Sequence, residues 1–295
     1  MNAVLDVEEQ TAAIVAALAG VGGHTDVVGD WWRAETANDA DDSALSRSCV
    51  DASGRLIVSL SAPGPERRFA CYRRREATTL PGTTAWDRLA WDGRITTGWR
   101  TWHARENASS WAHVARAVDI DNNPNVQAWH AALGAGARVY SVAANAGEMP
   151  WIAWQLDPRV RVEAALDAIG CAPAWFAVEP ILGELLGGRV PRAAGPWSLA
   201  MRSDGSRWRI GTSRWARVAD DDGKRRRFAA TFASIGGCRS FAEGVYKVVA
   251  AAGAADLPIA RAVELEFAAG DSAHIADAEF FLTVVPRDRT SGSSR

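Results

Sequence analysis

The sequence has few of the residues and motifs that identify common enzyme classes. Its four cysteines, Cys49, Cys71, Cys171 and Cys238, are widely spaced and form neither a CxxC pair nor a Cys/His cluster. This spacing indicates neither a zinc site nor a disulfide framework, so we expect buried or inert thiols in a reducing cytoplasm. The chain also has no P-loop, no GxGxxG after a strand, no HExxH and no GxSxG. Motifs therefore give no support to nucleotide-binding, zinc-protease or α/β-hydrolase functions.

Long apolar runs and an excess of positive charge are absent as well. No run approaches the ~20 residues that a membrane span needs, and the N-terminus is acidic where a signal peptide would be basic. The formal net charge of -2 gives no electrostatic footprint for nucleic acid or for an anionic membrane. We therefore expect a soluble, cytoplasmic monomer that binds neither nucleic acid nor membrane.

Tryptophan and arginine are the residues that the sequence has in excess. Its 14 tryptophans stand against 8 phenylalanines and 3 tyrosines. Such rings suit either a wide pocket for flat or apolar ligands or a tryptophan-rich core. The positive charge is almost entirely arginine and clusters in predicted strands. This pattern is typical of planar recognition of phosphate or carboxylate, although solvated strand faces would explain it equally well.

The clearest local pattern is a ββα unit from Trp197 to Gly237. Two strands are joined at Asp204-Gly205, and the helix that follows begins on acids and ends on glycines. Further hairpins are predicted at residues 46–61, 89–102, 138–156 and 262–285, with helices at 7–21, 126–133, 160–186 and 241–252. The helix ends Leu166-Asp-Ala-Ile-Gly-Cys and Phe232-Ala-Ser-Ile-Gly-Gly resemble each other. We predict four or five αββα blocks in a single domain, residues 1–286, followed by a disordered tail at 287–295.

Alternation along the predicted strands separates an apolar face from a face rich in arginine, aromatic residues and glutamate. In the second strand of the ββα unit, Arg207, Arg209 and Trp215 share one face. Trp208 and Ile210 share the other face, which suits packing under helices. On the last hairpin, glutamates alternate with apolar residues in the same way.

The polar faces allow two architectures. An antiparallel sheet often leaves one face in water, so an open sheet is one interpretation. The other is a closed barrel that holds a ligand in its lumen, which the scarcity of Lys, Thr and Ser on these faces favours. Arginines would then bind an anionic group beside a carboxylate base. We predict an α+β fold with an antiparallel β-barrel and helices outside.

Repeated αββα blocks, a chain of 295 residues, and a barrel lined by arginine and aromatic residues resemble the ABBA-fold aromatic prenyltransferases. The nearest members are the small bacterial and cyanobactin-type peptide prenyltransferases, and the resemblance covers Val126 to Val285. In that family the barrel binds an allylic diphosphate, aromatic rings shield the allyl cation, and an acidic residue often assists the acceptor. The resemblance implies an enzyme of natural product biosynthesis that transfers a dimethylallyl or geranyl group to an electron-rich aromatic or peptide side chain.

The resemblance also implies roles for individual residues. The diphosphate-binding residues would be Arg68, Arg74, Arg138, Tyr140, Arg202, Arg207 and Arg209. The cation shield and acceptor pocket would be Tyr72, Trp151, Gln155, Trp215 and Phe281, and Glu264 or Glu266 would be the catalytic base. No tightly bound cofactor is expected; the allylic diphosphate would be a co-substrate, with which Mg²⁺ is compatible. The acids at 220–222 fit the first turn of a helix better than a Mg²⁺ site.

One departure from the family pattern keeps other functions open. Before Pro158, where the family tends to show Lys-x-Tyr or Lys-x-His, this chain has Ala153-x-Gln155. A barrel with lost or changed chemistry is therefore an alternative: a non-catalytic protein that binds a hydrophobic or peptidic ligand. An open-sheet interaction protein is a third interpretation.

Overall fold

The chain folds as an antiparallel sheet covered by helices. The computed structural model describes residues 57–64, 68–75, 83–91, 95–104, 116, 119–145, 148–157, 159–185, 197–212, 216–218, 221–252 and 259–284. Within these ranges all strand pairings are antiparallel, and the helices follow or precede hairpins. The predicted α+β class is confirmed. The predicted helix at 7–21, the strand at 46–51 and the tail at 287–295 lie outside the described residues.

The described strands join into one network of hydrogen-bonded pairs. They are β1 Ile57–Ala62, β2 Phe69–Arg75, β3 Thr83–Trp91, β4 Ile95–Ala104, β5 Ala137–Asn145, β6 Trp151–Leu156, β7 Trp197–Arg202, β8 Arg207–Thr212, β9 Ala216–Val218, β10 Ile259–Ala268 and β11 Asp277–Val284. Pairings run in chain order from β1 to β8, then from β8 to β10 and from β10 to β11. Strand β11 also pairs with β1, so the succession of pairings returns to its first strand.

The helices connect the hairpins on one side of the sheet. They are α1 Pro124–Leu133, α2 Val162–Ala168, α3 Ala174–Leu185, α4 Asp222–Ser234 and α5 Arg239–Ala252. Five hairpins are described, β1–β2, β3–β4, β5–β6, β7–β8 and β10–β11. Because neighbouring strands are antiparallel, the first strands of these hairpins all run in the same direction. The ends at which the two strands of each hairpin follow one another in sequence therefore all lie at the same end of the sheet, as expected for a repeated αββα block.

Three sequence predictions of strand arrangement need correction. The predicted partner of β1, residues 46–51, lies outside the described residues, and the structure pairs β1 with β2 and β11 instead. Strand β3 begins at Thr83, well before the predicted 89, because its mixture of tryptophan and polar residues hides the alternation. The strand from residue 207 is not continuous: Ala216 faces Arg261, whereas an unbroken register would place Arg214 there.

The core lies between the sheet and the helices, as the apolar alternation predicted. Phe280 on β11 packs edge-on against Phe232 of α4 with ring centroids 5.4 Å apart, and Trp208 stacks on Phe267 at 4.4 Å. Trp154 is fully buried against Trp129 of α1. Much of the described tryptophan is therefore core, one of the two uses that the composition allowed. We call this side of the sheet the helix face and the opposite side the polar face.

Two helix ends show the repeat at atomic detail. At the end of α2, Gly170 N donates to Asp167 O and Cys171 N to Leu166 O. At the end of α4, Gly236 N donates to Ala233 O and Gly237 N to Phe232 O. Both ends are Schellman motifs, and the glycine at the left-handed position has φ 73° in one and 88° in the other. The resemblance between the two sequences therefore reflects the same backbone geometry.

Gly237→Ala should destabilise the protein through this motif. A Cβ at position 237 would overlap the ring of Phe232, which is 1% exposed and packs against Phe280. Overpacking of this kind typically costs about 1–3 kcal/mol. Thermal unfolding should show a lower Tm than wild type. Gly223→Ala, in the first turn of α4 with only the Asp221 side chain nearby, is the control; equal Tm values for the two variants would contradict the expectation.

Candidate functional site

The polar face of the sheet carries a cluster of two arginines and two glutamates on neighbouring strands. On β8, Arg207 and Arg209 point to this face because they alternate with Trp208 and Ile210, which are buried on the helix face. On β10, Glu264 and Glu266 alternate in the same way with Leu265. The register places Glu266 directly opposite Arg209. We call these four residues, with Trp151, the arginine–glutamate cluster.

Glu266 is the centre of the cluster. Its Oε1 accepts a hydrogen bond from Arg207 Nη1 at 2.6 Å, and its Oε2 accepts from Arg209 Nε at 2.8 Å and Nη2 at 2.7 Å. Arg209 Nη1 also donates to Glu264 Oε2 at 3.2 Å. The Glu266 side chain is only 8% exposed, whereas that of Arg207 is 43% exposed. The cluster is therefore charge-balanced, with one face of Arg207 open to solvent.

Trp151 completes the cluster from β6. The Arg209 guanidinium carbon lies 3.8 Å from the centroid of the Trp151 ring, which is close cation–π stacking. Strand β7 lies between β6 and β8, and the residue opposite Arg209 on β7 is Ala200. Because alanine is small, the indole reaches across β7 to the guanidinium. The stack fixes the plane of the Arg209 guanidinium group. Trp151 is buried, with 4% of its surface exposed.

A second polar group, which we call the tyrosine–glutamate network, lies on the same face. Glu279 Oε1 on β11 accepts hydrogen bonds from Ser59 Oγ on β1, at 2.6 Å, and from the hydroxyl of Tyr72 on β2. The Tyr72 oxygen accepts from Arg88 Nε on β3 at 3.1 Å. Ser59 and Tyr72 are almost fully buried. Four strands thus contribute one residue each to a single hydrogen-bonded chain.

Tyr72 was predicted as a pocket residue, whereas the other three members of the network, Ser59, Arg88 and Glu279, were not predicted as site residues. Alternation with Phe280 puts Glu279 on the polar face, so its face was predictable. Alternation with Val58 and Leu60 also puts Ser59 on the polar face, but a single serine gives no sign of a site. Arg88 lies where tryptophan and polar residues obscure the alternation. Phe281 packs against the Tyr72 ring with centroids 6.1 Å apart, so these two predicted pocket residues do meet.

Three other predicted diphosphate ligands contact acceptors outside the cluster. Arg202 is held at the β7–β8 turn by Asp204, whose pKa its hydrogen bonds lower well below the usual range. Arg68, at the start of β2, lies 3.7 Å from Asp277, a carboxyl whose pKa burial raises. Arg138 is exposed and donates to Gln155 Oε1 at 3.0 Å. Each of these three arginines thus has an acceptor of its own, and its role in diphosphate binding stays a prediction.

For two further predicted site residues, Arg74 and Tyr140, the structure gives the position of the backbone. Arg74 lies on β2 with its backbone opposite Trp86 on β3. Tyr140 lies at a bulge of β5, where the register shifts between Val139 and Ser141. Trp215 lies outside the described residues.

Acids and thiols elsewhere have structural explanations. Asp221, in the acidic run, caps α4 by accepting from Lys224 N at 2.7 Å, as expected for the first turn of a helix. Burial raises the pKa of the Cys71 thiol to about 12 and that of Cys171 to about 11. Neither thiol is a nucleophile at neutral pH, because the thiolate is the reactive form.

No helix among the described residues has the length and apolar character to cross a membrane.

Comparison with known proteins identifies the architecture. A scan against protein-family models finds no match, and a search of curated proteins finds none either. Solved structures do match. A 6-dimethylallyltryptophan synthase from Micromonospora olivasterospora, solved in complex with DMASPP and Trp, is 13% identical with a TM-score of 0.63, over 95% of this chain and 97% of its own. A 5-dimethylallyltryptophan synthase from Streptomyces coelicolor has a TM-score of 0.60 at 13% identity, covering 94% and 97%.

The prenyltransferase PriB, in a ternary complex with L-tryptophan and dimethylallyl thiolodiphosphate, has a TM-score of 0.59 at 12% identity, covering 95% of this chain and 96% of its own. These alignments span nearly the whole of each chain, so the similarity concerns the complete architecture. The resemblance to ABBA-fold aromatic prenyltransferases that the sequence indicated is thus confirmed for the fold.

Proposed function

We propose that the protein is a prenyltransferase that moves a dimethylallyl or geranyl group from its diphosphate to an electron-rich aromatic or peptide side chain. The observation that supports this proposal is the pair of arginines on β8, of which Arg209 stacks on Trp151, on the polar face of a fold shared with aromatic prenyltransferases. The acceptor would be a small molecule or a peptide in the cytoplasm.

In this proposal the ring of strand pairings encloses a lumen, and residues 1–286 form one barrel domain around it. The support is the pairing of β11 with both β1 and β10. The polar face then lines the lumen, and the helix face packs outside. Both the arginine–glutamate cluster and the tyrosine–glutamate network would face the bound substrates.

The reaction would begin at Arg207 and Arg209. The bond between the allylic carbon and the diphosphate oxygen breaks, and its electron pair leaves on the oxygen, where fixed guanidinium groups stabilise the developing charge. The Trp151 ring face would shield the allyl cation by cation–π attraction. A ring carbon of the acceptor then forms the new carbon–carbon bond. A carboxylate on the same face takes the proton that the acceptor loses, for which the sequence proposes Glu264 or Glu266.

The glutamates impose a condition on donor binding. Arg207 and Arg209 already form charge-assisted hydrogen bonds with Glu266, and a diphosphate offers the same kind of anionic oxygen. The donor must therefore displace or share these contacts. Arg207, which is the more exposed of the two, is the natural point of first contact.

The same ion pairs favour the second candidate, a non-catalytic protein that binds a hydrophobic or peptidic ligand. A cluster in which glutamates neutralise the arginines needs no anionic ligand. In that case the polar face would recognise a ligand through its hydrogen-bonding groups and the Trp151 ring, without ionising a diphosphate.

Incubation with dimethylallyl or geranyl diphosphate, with and without Mg²⁺, and a panel of indole, phenol and peptide acceptors separates the two candidates. Mass spectrometry should detect acceptors heavier by one prenyl group, and calorimetry should detect binding of the donor. If there is no mass gain and no donor binding, prenyl transfer is ruled out and the binding protein is favoured.

A further inference from the structure

A small cavity lies on the helix face of the sheet, at the ends of two hairpins. It has a volume of about 220 Å³ and is bounded by α1, the end of α2 and the turns that join β7 to β8 and β10 to β11. We propose that this cavity is a binding site for a small planar aromatic carboxylate. The proposal goes beyond prenyl transfer and does not depend on it, because the proposed reaction takes place on the polar face.

The walls of the cavity are aromatic and apolar. Trp129 of α1 and Trp208 of β8 line it with ring centroids 6.4 Å apart and planes at 60°, and Met201 of β7 lines it as well. Phe267 covers one face of the Trp208 ring at 4.4 Å, so a ligand can contact only the other face or the edge. Rings pack on rings in offset or edge-to-face geometry, so these walls favour a flat, apolar ligand body.

Glycines leave the space between these walls open. Gly170, at the end of α2, and Gly270, in the β10–β11 turn, line the cavity, and a Cβ added at either would meet nothing within 4 Å. Both have a positive φ, 73° and 81°, which favours glycine and so keeps side chains out of this space. A volume of about 220 Å³ is below the ~300–1,000 Å³ of pockets for drug-sized ligands, so we expect a body of one or two fused rings.

Arg207 supplies the polar part of the site. Among the described residues that line the cavity it is the charged one, and it lies where β8 leaves its turn. Its Nη1 donates to Glu266, whereas its other guanidinium N–H groups donate to no residue that the structure describes, and its side chain is 43% exposed. A guanidinium has five N–H donors, so a second carboxylate can bind without displacing Glu266. Its charge favours a carboxylate on the ligand and disfavours an ammonium group.

The two acids next to the lining glycines have donors of their own. Asp204, which precedes Gly205, accepts from Arg202 Nη2 at 2.9 Å. Asp271, which follows Gly270, lies 3.0 Å from Nδ1 of His274, and this hydrogen bond lowers the pKa of its carboxyl. Their negative charge is thus partly compensated, and repulsion of an anionic ligand at Arg207 is reduced.

Calorimetry with indole-3-acetate and with 3-methylindole, which has the same ring without the carboxylate, tests the proposal. Wild type should bind indole-3-acetate about 10-fold or more tightly than 3-methylindole, the gain expected from a hydrogen bond between charged groups. In Arg207→Ala this preference should disappear, because the carboxylate loses its donor. Binding of 3-methylindole should be retained, because the aromatic walls are unchanged.

Ser272→Phe and Ala273→Phe show whether the ligand occupies this cavity. Ser272 lines the cavity, whereas Ala273 is its exposed neighbour in the same turn. The ring introduced by Ser272→Phe should fill the space, so binding of indole-3-acetate should be lost. Ala273→Phe adds the same ring outside the cavity and should bind the ligand as wild type does.

Several results would overturn the proposal. Absence of saturable binding of indole-3-acetate to wild type up to about 10 mM would remove the site. Equal affinity of wild type for the two ligands would remove the carboxylate from the assignment. Wild-type affinity in Ser272→Phe would place the ligand elsewhere, such as on the polar face. If Ser272→Phe does not fold, NMR of the wild-type indole N–H groups decides, since those of Trp129 and Trp208 should shift on binding and unchanged signals would have the same consequence.

Discussion

Arg209→Ala should lower the rate of prenyl transfer by about 10²–10³-fold, the loss expected when one fixed donor to a developing oxyanion is removed. Arg209 is the residue on which the cluster depends most. It donates to both Glu264 and Glu266 and stacks on Trp151, whereas Arg207 contacts Glu266 from a more exposed position. Its removal takes away a charge, a hydrogen-bond donor and the orientation of the indole at once.

Steady-state kinetics and calorimetry with dimethylallyl diphosphate measure this effect. Donor affinity should fall together with kcat, because the guanidinium would bind the diphosphate in the ground state and more strongly as charge develops. Arg209→Lys should recover only part of the loss, since an ammonium group cannot form the planar, bidentate contact. Arg159→Ala removes an exposed arginine outside the cluster and is the control. Wild-type affinity and rate in Arg209→Ala would remove this residue from the site.

Local alternation made one half of the site predictable. Trp208 and Ile210 are apolar and must be buried, so Arg207 and Arg209 had to lie on the opposite face. The same argument placed Glu264 and Glu266 on the polar face of β10. The glycine-terminated helices and repeated hairpins followed from local sequence in the same way, because turns and caps depend on a few adjacent residues.

The pairing between strands was not predictable, because it depends on register between distant segments. Arg209 meets Glu266 57 positions later, and Tyr72 meets Glu279 207 positions later. Knowing the face of each side chain did not reveal that the glutamates neutralise the arginines. The role of the base, which the resemblance implied for Glu264 or Glu266, stays a prediction.

One charged residue, Arg261, is buried on the helix face. Arg261 shares the parity of Val263 and Leu265 on β10, so the pattern places it under the helices, where it is 2% exposed. Burial lowers the pKa of its guanidinium, and its Nε has no hydrogen-bond partner among the described residues. Alternation therefore explains which face Arg261 occupies. It gives no information on the groups around this side chain, which belong to helices distant in the sequence.

Glu266→Gln should have the largest effect on stability among changes in the cluster. The substitution keeps the shape of the side chain but leaves Arg207 and Arg209 without their shared counter-charge. Breaking a buried ion pair by removing one partner typically costs 3–5 kcal/mol, and we expect about 3 kcal/mol because Arg207 is 43% exposed. Thermal unfolding should therefore show a clearly lower Tm than wild type. Glu243→Gln, which breaks an exposed pair with Lys247, should change Tm very little.

Pyrophosphate should restore stability to Glu266→Gln if the arginines form an anion-binding site. A ligand that binds only the folded state stabilises it by RT ln(1 + [L]/Kd), about 2.7 kcal/mol at a hundredfold excess over Kd. In wild type the anion competes with Glu266, whereas in Glu266→Gln it meets two guanidinium groups that have lost this shared carboxylate and it binds more tightly. Pyrophosphate should therefore raise the Tm of Glu266→Gln more than that of wild type, at ionic strength matched with NaCl to exclude screening. Equal shifts in both proteins would mean that pyrophosphate binds elsewhere, and the arginines would then serve the glutamates alone.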